Sequence, residues 1–86
     1  MPEICRFYGL VMTRYWNDHH PPHFHVRYGE WLAEIDIRTL ALMRGSLPPR
    51  ALALTIEWAL QHQPDLLRQW NRARRQQPLQ TIPPLA

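Results

Sequence analysis

His23-Phe24-His25-Val26-Arg27-Tyr28-Gly29-Glu30-Trp31-Leu32-Ala33-Glu34-Ile35-Asp36-Ile37-Arg38 is the stretch from which the fold can be read. Phe24, Val26 and Tyr28 share one parity and His23, His25 and Arg27 the other, the period-two pattern of a half-buried strand. After Gly29-Glu30 the alternation resumes, with Trp31, Ala33, Ile35 and Ile37 apolar and Glu34, Asp36 and Arg38 charged. Two alternating runs joined by two residues, with glycine at the first central position, predict a hairpin closed by a type II′ turn. That turn sets the register. Tyr28 faces Trp31, Val26 faces Ala33 and Phe24 faces Ile35, while on the polar face His25 opposes Glu34 and His23 opposes Asp36. Directly opposed side chains lie about 5 Å apart at Cβ, so two histidine-carboxylate pairs are expected side by side. A one-residue slip would send every one of these side chains to the other face.

Upstream, Pro21-Pro22 stiffens the loop Asn17–Pro22 and delivers an extended chain into His23. That loop carries His19 and His20, either of which can fold over the hairpin, so four of the five histidines fall within residues 17–31. Before it, Leu10–Trp16 is rich in β-formers and reads as the first strand, antiparallel to the His23 strand. Its facing is ambiguous: Leu10, Met12 and Trp16 share a parity with Arg14, whereas Val11, Thr13 and Tyr15 make an equally good inner face. Downstream, Arg38-Thr39 reads as a turn and Leu40–Arg44 as a short fourth strand ending at Gly45.

Pro48 and Pro49 are tolerated in a helix only within its first turn, so a helical segment is expected from about residue 48 to 77. Leu52, Ile56 and Ala59 recur at helical spacing, and Leu66, Trp70 and Ala73 keep the same phase past Pro64. Pro64 removes one backbone hydrogen bond and presses on the Leu60 carbonyl, which places a kink or short break near His62 and Gln63. The proline-rich tail, 78–86, should run extended over the surface. The expected architecture is a single α+β domain over residues 1–86, with an antiparallel sheet of three or four strands within 4–44, followed by a long kinked helix or two helices packed on one face. The opposite, exposed face would carry His23, His25, Glu34 and Asp36.

Composition narrows the function classes. The chain has 86 residues, 45% of them hydrophobic, with four Trp and three Tyr, which suits one modest core rather than a disordered segment. No apolar run approaches a membrane span and no signal peptide opens the chain, so a cytoplasmic protein is expected. The single Cys5 reads as a buried structural thiol. Net charge is +3, and all ten basic residues are Arg, a side chain suited to bidentate phosphate or carboxylate recognition.

Met1-Pro2-Glu3-Ile4, Arg6-Phe7-Tyr8-Gly9, Asp18-His19, Pro21-Pro22-His23-Phe24-His25, Gly45, Leu47-Pro48, Glu57-Trp58 and His62 together resemble the domain of unknown function 4160 family of small bacterial proteins. The resemblance spans nearly the whole chain, and Pro-Pro-His-Phe-His is its most specific part. It implies a second small protein encoded nearby as partner, in a toxin-antitoxin-like arrangement. It also implies recurrent histidines at His19, His23 and His25, with a variable position at His20. Arg14 and Pro64 depart from the family pattern, the first at a commonly apolar position and the second inside a helix.

Three chemistries fit the histidine stretch. In the first, His23 and His25 present ring nitrogens to one divalent ion such as zinc, with His19 as third ligand and Glu34 or Asp36 as ligand or supporting carboxylate. In the second, no cofactor is required: two histidines exchange protons on a phosphodiester while Arg27 stabilises the developing charge. In the third, the histidines and carboxylates are satisfied polar residues on a protein-interaction surface. Arg68, Arg72 and Arg75 lie at helical spacing and are candidates for contacts to RNA or DNA phosphates, although a solvated basic helix face accounts for them more simply. The reading adopted is one component of a toxin-antitoxin-like pair, a nuclease-type toxin using the histidine cluster, with a non-catalytic interaction or metal-binding module as alternative. Enzymatic activity is left open at this point.

Overall fold

The computed structural model describes residues 3–14 and 19–85. Five strands, β1 (Glu3–Phe7), β2 (Leu10–Thr13), β3 (His23–Tyr28), β4 (Trp31–Asp36) and β5 (Leu42–Gly45), precede two helices, α1 (Pro49–Gln61) and α2 (Gln63–Arg74). The strands form one antiparallel sheet in chain order, a simple meander. The α+β class is as expected, but there are five strands rather than three or four. The additional strand is β1, which pairs with β2 through the tight turn at Tyr8-Gly9. Both turn residues have positive φ, 49° and 82°, the backbone of a type I′ hairpin turn.

The β3–β4 register matches the pattern-based expectation at every pair, from His23 opposite Asp36 to Tyr28 opposite Trp31. Gly29 has φ 57° and Glu30 has no positive φ, as a type II′ turn requires. The ambiguous facing of β2 is decided by its pairing with β3. Leu10 lies opposite Tyr28 and Met12 opposite Val26, so both are fully buried with the core and Val11 and Thr13 turn to the polar face. The first-strand reading of Leu10–Trp16 is shortened to Leu10–Thr13, and its last two residues, Tyr15 and Trp16, lie outside the described residues, as do Asn17 and Asp18. Arg14, which has the apolar parity, is 1% exposed, and its guanidinium stacks 3.9 Å from the Trp70 ring, a cation-π contact that accommodates the charge in a position of apolar phase.

The core face of the sheet is covered by α1. Trp58 lies 5.7 Å from Phe24 and 6.0 Å from Phe7, ring centre to ring centre, and is completely buried with Ala59 and Thr55. Leu52 and Ile56, expected on the inner stripe, are only half-buried. The inward stripe is instead Ala51, Thr55, Trp58 and Ala59, small residues that let the helix approach and leave room for the indole. Pro64 breaks the helix. His62 leaves helical geometry at φ −130°, and α2 restarts with Pro64 in its first turn, where the missing N–H costs nothing. Helical structure therefore spans 49–74 with one interruption, rather than about 48–77.

Helix α2 crosses the end of the sheet, and Gln63 Nε2 donates to the Ile37 carbonyl at 2.9 Å. Leu66, Gln69, Trp70 and Ala73 form its buried side. The tail is extended as expected, yet it does more than cover the surface. Ile82 is 4% exposed, its N–H donates to the Ile4 carbonyl at 2.7 Å, and Trp58 Nε1 donates to the Pro83 carbonyl at 2.8 Å. Neither helix is long and apolar enough to cross a membrane.

A candidate metal site on the polar sheet face

Alternation along β3 puts His23 and His25 on the face away from α1, and the antiparallel register brings Glu34 of β4 opposite His25. His23 and His25 stack edge to face with ring centres 5.1 Å apart. His23 Nε2 is 3.4 Å from Glu34 Oε1. One ligand atom from each of His23, His25 and Glu34 can be chosen so that all lie within 4.8 Å of one another. Among the described residues this is the one cluster of metal-ligating side chains.

The orientation of His23 is set from behind. Its Nδ1 lies 2.8 Å from the Pro21 carbonyl oxygen, and since a carbonyl can only accept, Nδ1 carries a hydrogen and donates it. Nε2 is then the ring nitrogen that can act as acceptor or ligand, and it is the one near the Glu34 carboxylate. This is also the arrangement by which metal-binding histidines are held, with the second ring nitrogen tied to a carbonyl or carboxylate so that tautomer and ring plane are fixed.

The expectation of an exposed histidine face holds only in part. His23 is 6% exposed because Trp70 of α2 walls it in, with ring centres 5.5 Å apart. His25 and Glu34 are half-buried. Asp36, expected beside His23, is absent from the cluster although their backbones are paired. Its Oδ1 accepts the N–H groups of Arg38 at 2.7 Å and Thr39 at 3.0 Å, closing the turn after β4, where aspartate competes well for local backbone donors. His19, expected as third ligand, is exposed and outside the cluster, and Glu34 takes the third position. His20 lies against Trp70 at 5.4 Å, and its Nε2 is 2.7 Å from Arg74 NH1.

The helical arginines are used locally. Arg68 NH1 pairs with Asp65 at 2.8 Å, Arg72 donates to the Pro78 carbonyl at 3.3 Å, and the Arg75 backbone N–H closes the end of α2. Arg68 and Arg72, the first two members of that basic stripe, therefore have partners within the chain. Arg27, by contrast, stands on the histidine face. Next to the cluster is a groove of about 220 Å³ lined by Thr13, His25, Arg27, Leu32, Glu34 and Arg44. Arg44 is a residue that sequence reasoning missed. Regular pairing continued from Ile35 opposite Leu42 would set Met43 against Glu34; the irregularity between Glu34 and Ile35 brings Arg44 there instead, and no sequence pattern announced it.

Residues 9–71, which contain the whole cluster, match the family described as domain of unknown function DUF4160. The chain belongs to the DUF4160 family. No curated protein and no solved structure matches this DUF4160 chain.

Proposed function

We propose that this DUF4160 protein binds a divalent metal ion through His23 Nε2, His25 and the Glu34 carboxylate. The observation that carries the reading is the 3.4 Å separation of His23 Nε2 and Glu34 Oε1, with Nδ1 tied to the Pro21 carbonyl. Bonds of 2.0–2.1 Å at tetrahedral angles place neighbouring ligand atoms about 3.4 Å apart, so these two atoms already span a coordination edge. His25 has a ligand atom within 4.8 Å of both and would have to move closer to complete the set. Two histidines and one carboxylate leave at least one coordination position for water. A divalent ion held by His23, His25 and Glu34 would lower the pKa of a water in that position toward neutrality, chemistry that would suit a hydrolytic role of the nuclease type. The family resemblance supports placing the chain as one member of a toxin-antitoxin-like pair with a small protein partner.

Calorimetric titration with Zn²⁺ tests the metal reading. One equivalent should bind, and Glu34→Gln or His25→Ala should weaken binding by about 10-fold or more, since loss of even a group that supports a ligand costs that much. Binding unchanged in both variants would refute it. Induced expression in a bacterial host tests the toxin reading. Growth should arrest with the wild type and continue with a folded, equally abundant His23→Ala, His25→Ala variant; growth unaffected by either chain would remove the toxin assignment and leave the metal site standing.

A further inference from the structure

We propose that the groove beside the cluster binds a phosphate ester, held between the Arg27 and Arg44 guanidiniums and the metal position at His25 and Glu34. The inference rests on the metal reading above and adds the substrate class.

The groove and the cluster share His25 and Glu34, so an ion held by these ligands faces the groove. The sheet register fixes where the arginines stand. Thr13, His25, Glu34 and Arg44 form one row across β2, β3, β4 and β5 on the polar face, which puts Arg44 one strand beyond Glu34, about 5 Å away at the backbone. Arg27 is two residues along β3 from His25, about 7 Å further on and on the same face. Arg27 and Arg44 thus flank the shared ligands along the strand and across the sheet, and both line the groove. Arg6, on the same face, is locked onto Glu3 at 2.7 Å; Arg27 also acts on the Glu3 carboxylate through its charge, but neither Arg27 nor Arg44 makes a direct ion pair among the described residues.

Charge and shape select the ligand. A divalent ion against one carboxylate keeps a net positive charge, and two guanidiniums add to it around a groove of about 220 Å³. A carboxylate offers two coplanar oxygens and one charge, too little to engage all three cations. A phosphoryl group offers tetrahedral oxygens, one for the metal and others for bidentate arginine contacts. Leu32, 63% exposed at the groove wall, gives the apolar side of a ribose or similar group a surface to rest on. A concave site on an open sheet admits a single phosphate with its sugar, either as a free nucleotide or as one unit of a single strand.

The test uses the full chain with and without one equivalent of Zn²⁺, and as probes uridine 5′-monophosphate, a labelled ten-nucleotide oligouridylate, and acetate. The Zn²⁺-loaded wild type should bind the two phosphate probes and not acetate. Arg27→Gln, Arg44→Gln should weaken phosphate binding about 10-fold or more and lower the salt slope of oligonucleotide binding by about 1.4, two contacts at roughly 0.7 each for a single strand, while Zn²⁺ affinity stays within about twofold. Tighter binding of the oligonucleotide than of the mononucleotide would assign the groove to a strand, and equal binding would assign it to the nucleotide; both support the proposal. Wild type that takes up Zn²⁺ but binds neither phosphate probe, or a double variant that binds them as well as wild type, overturns it. If Zn²⁺ fails to bind, the metal reading and the metal contact to the phosphate fall together; arginine-dependent phosphate binding by the metal-free protein would still support the groove as a phosphate site, and its absence would overturn that as well.

Discussion

A histidine on a strand is defined by what its second nitrogen does. In His23 the Nδ1 hydrogen is committed to the Pro21 carbonyl at 2.8 Å, so Pro21-Pro22 shapes the loop and also presents the acceptor that aims Nε2. The proline pair was legible as a stiff turn; its carbonyl acceptor was not, because a main-chain oxygen leaves no trace in residue identity. Asp36 illustrates the opposite loss. Its parity and register were correct, but a short carboxylate beside a turn is captured by nearby N–H groups. Cys5 behaves as its isolation suggested. It is 5% exposed, and burial pushes its thiol pKa up, which keeps it protonated and unreactive at neutral pH. With 5,5′-dithiobis(2-nitrobenzoate) at pH 8, native protein should react far more slowly than protein in urea. Equal rates would show that β1 opens readily.

Between strands, β5 matters more than its four residues suggest, since it carries Arg44 to the groove. Its seat depends on Gly45, where φ is 76° and a Cβ would overlap the Leu32 carbonyl oxygen. Gly45→Ala should therefore destabilise the fold by about 1–3 kcal/mol through backbone strain alone, with more from displacing the β4–β5 pairing. Urea unfolding would measure it, and a midpoint equal to wild type would mean β5 is not held as described. The helices show how one residue type carries a boundary. Pro64 was readable as an interruption because its ring and missing N–H cannot sit inside a helix. Whether the chain would kink or break depended on tertiary contacts, and Gln63 bonding to the Ile37 carbonyl supplies one such contact, pulling α2 across the sheet end.

The tail joins the two ends of the described chain. Ile82 completes the open edge of β1 by donating to Ile4, and Pro83 satisfies the buried Trp58 indole. Ile82→Ala should cost about 2 kcal/mol or more, the usual loss for truncating a buried isoleucine, measurable as a lower thermal midpoint; a change below about 0.5 kcal/mol would place the tail outside the core. The sequence by itself determined the α+β class, the β3–β4 hairpin with its register, the helix start and its interruption, and the juxtaposition of His25 with Glu34. These follow from alternation, turn chemistry and proline sterics, which act over a few residues. Only the tertiary structure decided that Leu10 and Met12, not Val11 and Thr13, face the core. It likewise turned Arg14 against Trp70, made Glu34 rather than His19 the third member of the cluster, and brought Arg44 to the groove. Each of these depends on which surfaces meet across strands or between helix and sheet, contacts between residues distant in the chain that no local pattern specifies.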